Sequence, residues 1–121
     1  MIGITMGDPA GIGPEVIAKA IAGTALRRIC VPLVIGSQEV MQRTVKQLKL
    51  SLEVCAVKGH DPVRLRKGQI ALFDPLDQPL GPYKLGVASA ETGAASVAFI
   101  KKAVHLAQSG CIEGMVTGPI N

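Results

Sequence analysis

Apolar positions along this chain follow two spacings. Short runs of apolar or β-prone residues alternate with longer stretches in which apolar residues recur every three or four positions. That alternation is the signature of a parallel sheet covered by helices. Ile2-Gly3-Ile4-Thr5 predicts a first strand, residues 31–35 a second that is buried on both faces, and residues 52–57 a third. Ile70-Ala71-Leu72-Phe73 predicts a short fourth strand and Gly114-Met115-Val116-Thr117 a last one. Pro14 suits a first helical position, with Glu15 in the first turn, where a carboxylate favours the positive end of the helix dipole. The predicted apolar stripe of that helix is Val16, Ile17, Ala20 and Ile21, and it fades over residues 23–28. A second helix is expected over residues 38–48, with Val40, Met41, Val45 and Leu48 on one side. Ser89 offers an N-cap to a long helix over residues 90–109 that Gly110 can terminate, with a core stripe of Val97, Ile100, Val104 and Ala107. Gly93, Ala94, Ala95 and Ala98 in its interior permit close packing at a small cost in helix propensity. Residues 58–85 break the pattern with recurrent Gly and Pro, as an excursion within one larger body would. No repeat and no dividing linker is visible, so the expectation is one α/β unit.

A hydrophobic fraction of 48% against 18% charged residues excludes a disordered chain. The net charge of +4 is scattered as Arg27-Arg28, Arg64/Arg66/Lys67 and Lys101-Lys102, without interleaved aromatics for base stacking. No nucleic-acid partner is therefore expected, and the basic excess reads as solvated surface charge that in part attracts an anionic substrate. No apolar run approaches the roughly 18 residues that cross a bilayer, and residues 1–5 carry neither a basic leader nor a signal-type apolar core. A cytoplasmic protein without a membrane partner is expected. Cys30, Cys55 and Cys111 are odd in number, widely spaced and set among apolar residues, which suits small buried hydrophobes in a reducing compartment.

The densest chemical signal is Gly7-Asp8-Pro9-Ala10-Gly11-Ile12-Gly13-Pro14-Glu15, between a strand and a helix. Loops beyond the carboxyl ends of strands bind ligands in open α/β sheets, because helix N-termini there present N–H groups and partial positive charge. Glycines let a backbone approach such a ligand, and Asp8 adds a carboxylate. Val16 stands where the dinucleotide fingerprint has a third glycine, and no Gly-Lys-Ser/Thr follows. A ligand loop and a tight strand-to-helix turn stiffened by Pro9 and Pro14 fit the spacing equally well. Thr117-Gly118-Pro119-Ile120-Asn121 is the second candidate, a capped turn whose Thr117 and Asn121 could also bond a polar ligand. His105 shares a helix face with Lys101 and Gln108, and His60 lies in an irregular segment, so neither predicts a metal ligand. Asp74 and Asp77 flank Pro75 as turn formers, and Ser37, Ser89 and Ser96 lack a nucleophile elbow or an evident base. The residues assemble no complete catalytic constellation.

As whole strings these motifs point further. Residues 4–15, Gly86-Val87-Ala88-Ser89-Ala90-Glu91-Thr92-Gly93 and residues 117–121 together resemble, in order, the opening of the 4-hydroxythreonine-4-phosphate dehydrogenases of vitamin B6 biosynthesis. Val87 stands where that family usually has Lys, and Gly118 where Ala is common. The resemblance implies an isocitrate/isopropylmalate dehydrogenase-like α/β fold, with a parallel-rich sheet flanked by helices. It implies that residues 1–121 are the N-terminal portion of a larger two-domain, homodimeric enzyme. That enzyme would oxidise 4-phosphohydroxy-L-threonine with NAD or NADP and then decarboxylate the product. A divalent metal (Zn, Mg, Mn or Co), bound by histidines outside this segment, would polarise the hydroxyl and stabilise the enolate. Asp8, Gly11, Ile12 and Gly13 match the family's cleft loop near the dinucleotide, and Thr117 and Asn121 match the strand end facing the substrate. Other readings are a 4-phospho-threonate or erythronate dehydrogenase of the same family, an acyl-phosphate transferase of related fold, and a non-catalytic piece that needs a complementary chain.

Overall fold

The computed structural model describes residues 1–58 and 66–120. His60 and Asn121 therefore lie outside the described residues. Five strands, β1 (Ile2–Thr5), β2 (Pro32–Ile35), β3 (Glu53–Ala56), β4 (Gln69–Phe73) and β5 (Gly114–Thr117), form one sheet in the order β3-β4-β2-β1-β5. Every pairing is parallel, with Ile4 opposite Val34 on one side and Val116 on the other. The helices are α1 (Gly13–Ala22), α2 (Ala25–Ile29), α3 (Gln38–Gln47) and α4 (Ala90–Gln108).

The connections β1→β2 and β2→β3 step toward one edge of the sheet, whereas β4→β5 steps back toward the other. Parallel crossovers are almost always right-handed, so the opposite steps send α1 and α3 to one face and α4 to the other. The packing agrees: α1 lies against α3, and α4 lies against β1, β2 and β5. The central strands are covered on both sides, and Leu33, Val34, Ile35, Ile70, Ala71 and Leu72 are all at most 1% exposed. This is why β2 and β4 read as unbroken apolar runs. The carboxyl ends of all five strands lie along one rim, where the loops that carry the motifs emerge.

Three local expectations change. The long helix buries Thr92, Ala95, Ser96, Phe99, Ala103 and Leu106, whereas Val97 is 48% and Val104 39% exposed. The predicted stripe has the right period but is displaced to a neighbouring face, with Ile100 and Ala107 only partly covered. Both stripes are apolar, and the large Phe99 ring, fully buried, decides which one faces the sheet. In α1, Ile17 and Ile21 are buried with Ala18, but Val16 and Ala20 face outward. Where the stripe is expected to fade over residues 23–28, the extra short helix α2 begins, and it is tied to β4 when the Arg27 guanidinium donates to the carbonyls of Gln69 and Arg66. That tie joins residues about forty positions apart, beyond the reach of local periodicity. The predicted Ser89 cap does form, its Oγ accepting from Thr92 N at 3.2 Å, and Ser37 caps α3 in the same way, its Oγ accepting from Val40 N at 3.2 Å.

No helix among the described residues is long and apolar enough to cross a membrane. The three cysteines are partly exposed rather than buried, and none forms a disulfide. Partial burial pushes the Cys55 thiol up from its ordinary value, and the nearby Glu53 carboxylate adds to this by its charge and by accepting the thiol's hydrogen bond. Because the thiolate is the nucleophile, Glu53→Gln lowers that pKa and speeds alkylation of Cys55 by iodoacetamide at pH 8 to 9 relative to the unchanged chain, as peptide mass spectrometry would report. The phase of α4 is tested by paired truncations. Phe99→Ala costs about 3–5 kcal/mol of stability in denaturant unfolding, and Val97→Ala stays within about 0.5 kcal/mol of the parent.

Candidate functional site

The rim at the carboxyl ends of β1 and β5 brings the sequence motifs together. Pairing of the two strands continues past their ends: Gly118 N donates to Thr5 O at 2.8 Å, and Asp8 N donates to Pro119 O at 3.0 Å. In this chain the backbones of this seam approach closely where side chains are missing at the crossing. Gly7 has φ +74, and a Cβ there would stand 2.4 Å from Pro119 O. A Cβ on Gly13 would stand 2.1 Å from Met6 O, and one on Gly118 2.6 Å from the same oxygen. Gly118, which stands where the family commonly has alanine, thus lies in the seam, whose closest approaches are at Gly13 and Gly7. The lead-in to α4 joins it through Gly86 N, which donates to Ala10 O at 2.8 Å. Strings that start near residues 5, 86 and 117 therefore occupy one patch of surface.

Within that patch, Asp8 is 3% exposed, and its Oδ1 accepts from Ala10 N at 2.8 Å. Gly13 is buried as the first residue of α1, whereas Gly11 and Ile12 are exposed, Ile12 by 62%. Ile12 is the N-cap of α1 and supplies no side-chain hydrogen bond, so the first N–H groups of this helix lack the cap that Ser37 and Ser89 give theirs. Thr117 and Val87 are exposed on the same rim. The Thr5 hydroxyl beneath the seam is fully buried, and among the described residues its Oγ1 is the only buried side-chain nitrogen or oxygen without a partner.

The remaining candidates serve the fold. Asp74 clamps two backbones, with Oδ2 accepting from Gln38 N at 2.8 Å and Oδ1 from Leu76 N at 2.9 Å. Ser37 and Ser89 are helix caps, and Ser96 Oγ donates to Gly93 O at 2.8 Å. His105 is exposed in the last turn of α4. Among the described residues no three or more His, Cys, Asp or Glu side chains are grouped to hold a metal. The sequence pattern missed Met6, fully buried, whose carbonyl and side chain lie under Gly13, Gly118 and Gly36. It also missed the crevice of about 290 Å³ between the ends of β2 and β4, where Glu39, Gln42, Asp77 and Gln78 meet. The neighbouring strands there send their helices to opposite faces, which is the switch point of this sheet. No motif marks it, because it arises from strand order alone. The seam is tested by Gly7→Ala, which meets both a left-handed backbone and a steric clash. It costs about 2–4 kcal/mol in thermal or denaturant unfolding.

The profile of the family described as pyridoxal phosphate biosynthetic protein PdxA matches residues 28–121. A 4-hydroxythreonine-4-phosphate dehydrogenase of Desulfosudis oleivorans is 43% identical over an alignment covering all of this chain and 36% of that protein. A protein of Symbiobacterium thermophilum, provisionally named a D-threonate 4-phosphate dehydrogenase, is 39% identical with the same coverage. A crystal structure of a 4-hydroxythreonine-4-phosphate dehydrogenase from Burkholderia phymatum superposes with a TM-score of 0.90 at 37% identity, over 99% of this chain and 36% of that one. The chain thus spans about a third of the length of the curated relatives it matches. With its parallel α/β sheet, its seam of glycines and this match over most of its length, the chain belongs to the PdxA family and corresponds to the N-terminal portion of its relatives.

Proposed function

We propose that this chain is the cofactor-facing part of a dehydrogenase that oxidises a small phosphorylated hydroxy acid with NAD or NADP, with 4-phosphohydroxy-L-threonine of B6 biosynthesis as the first substrate. One observation carries the reading: the three motif strings converge at one rim and leave Gly11 and Ile12 exposed over an uncapped helix N-terminus. That place suits a dinucleotide. A residue without a Cβ allows close backbone approach, and N–H groups lacking an internal partner favour a phosphate. Asp8, Gly11, Ile12 and Gly13 form the loop facing the cofactor, which when bound accepts the hydride. Ile12 offers an apolar surface to a ring, and the buried Asp8 keeps the loop in shape. Thr117, at the end of β5, presents a polar group to the substrate, Asn121 is assigned to the substrate from its motif alone, and the rim's exposed apolar residues exclude water once covered. The divalent metal, Zn, Mg, Mn or Co, belongs to residues outside this segment, as does decarboxylation, and the working enzyme is a homodimer.

The Symbiobacterium relative's name favours a second reading, 4-phospho-threonate or erythronate as substrate. The outward apolar residues Val116, 56% exposed, and Ile120, 48% exposed, accord with a segment that is inactive until further chain covers it. An acyl-phosphate transferase shares only the generic α/β pattern.

The test is an assay of the full-length gene product with NAD or NADP, a divalent metal and each phosphorylated acid, following the absorbance of the reduced nicotinamide. A higher kcat/KM with phosphohydroxythreonine supports the first reading, and a higher value with phosphothreonate moves the assignment to the second. No cofactor reduction with either acid, together with acyl-phosphate turnover, overturns the dehydrogenase. The 121-residue chain alone is expected to reduce no cofactor.

A further inference from the structure

We infer that Asp8 is a positioning residue whose carboxylate holds the first loop in its ligand-ready shape without touching the ligand itself. The inference rests on the reading of that loop as cofactor-facing. Asp8 is 3% exposed although both neighbouring loops reach solvent, so its side chain is turned into the protein. Its Oδ1, its carbonyl and its amide each have an internal partner. Oδ1 accepts from Ala10 N at 2.8 Å, the carbonyl accepts from Gly11 N at 2.9 Å, and the amide donates to Pro119 O at 3.0 Å. The first two bonds close the turn that leads to Gly11 and Ile12, and the third fastens that turn to the end of β5.

A carboxylate withdrawn this far from water is costly unless hydrogen bonds or a cation offset it. The ion pairs among the described residues, Met1 with Glu113 and Lys19 with Glu15, do not include Asp8. The Ala10 amide therefore supplies the compensation at Oδ1, and the carboxylate in return fixes where that amide points. Removing the acceptor releases Ala10 N, loosens the turn and lets the exposed Gly11-Ile12 tip move away from the position a dinucleotide needs. The interaction requires an oxygen acceptor at the Oδ1 position, which an amide also provides. A direct ligand contact through the negative charge would require the carboxylate itself.

That difference separates the two roles. In the full-length protein, Asp8→Ala weakens NAD or NADP binding by about 3- to 10-fold in calorimetry. It also raises the hydrogen-exchange rates of the Ala10 and Gly11 amides, and Asp8→Asn restores most of both losses. If Asp8→Asn binds as poorly as Asp8→Ala while its Ala10 amide stays protected, the charge meets the ligand and the inference is overturned. It is overturned equally if Asp8→Ala lowers only the melting temperature and the folded protein binds with unchanged affinity. If Asp8→Ala does not fold, Asp8→Asn decides alone: retained affinity and protection support the inference, and lost affinity overturns it. If the parent protein binds no dinucleotide, the functional proposal fails. The loop lock then stands on exchange alone, supported when protection is lost in Asp8→Ala and kept in Asp8→Asn, and overturned otherwise.

Discussion

Two stretches of backbone more than a hundred residues apart cross at the end of the sheet with no room for side chains between them. The oxygen of Met6 lies within 2.6 Å of where a Cβ would sit on either Gly13 or Gly118, and Gly7 has the same problem with Pro119. Glycine at these points lets main-chain groups bond directly, Gly118 to Thr5 and Asp8 to Pro119. A Cβ on Gly36 would also crowd the Met6 side chain, so Met6 fills the space under the crossing with a flexible thioether. Close approach here lets α1 begin directly behind β1 and extends the β1–β5 pairing beyond the strands. It also gives the lead-in to α4 a carbonyl, that of Ala10, to anchor on.

The crossing sits at an asymmetric place in the fold. On one side, β2 and β4 are sealed by helices above and below. On the other, among the described residues, β5 pairs with β1 alone and leaves one edge open. Val116 in β5, Ile120 beyond it and Ile12 in the loop after β1 are exposed apolar residues. A surface that is polar in its backbone groups and apolar at its rim suits a ligand with a charged end and a ring, provided further chain covers it. The relatives carry about twice as much additional chain as is matched here, since the match covers 36% of them.

Legibility followed the range of the interaction. Strands β1, β2, β4 and β5, the Ser89 cap and the ends of α3 and α4 are set within a few residues, and their signals stand in the sequence at the same spacing. The orientation of α4 did not, because two apolar stripes compete on that helix and only contact with the sheet chooses between them. The short α2 was likewise illegible, since the carbonyls of Arg66 and Gln69 that bind Arg27 are distant in sequence. At the site, glycines marked the right loops, but spacing alone left a ligand loop and a tight turn equally good. Asp8 shows why: an aspartate two residues before an amide reads the same whether its carboxylate faces solvent or, as here, the turn.

By itself, then, the amino-acid sequence determined the α/β class, nearly all the elements and the three strings that place the chain in its family. Each of these depends on local periodicity, on a cap or on residue identity. Only the tertiary structure decided that the strings share one rim, that the switch-point crevice lies between β2 and β4, and that Asp8 faces inward. Those outcomes depend on strand order and on backbone contact between distant segments, and such contacts are made only when the sheet closes.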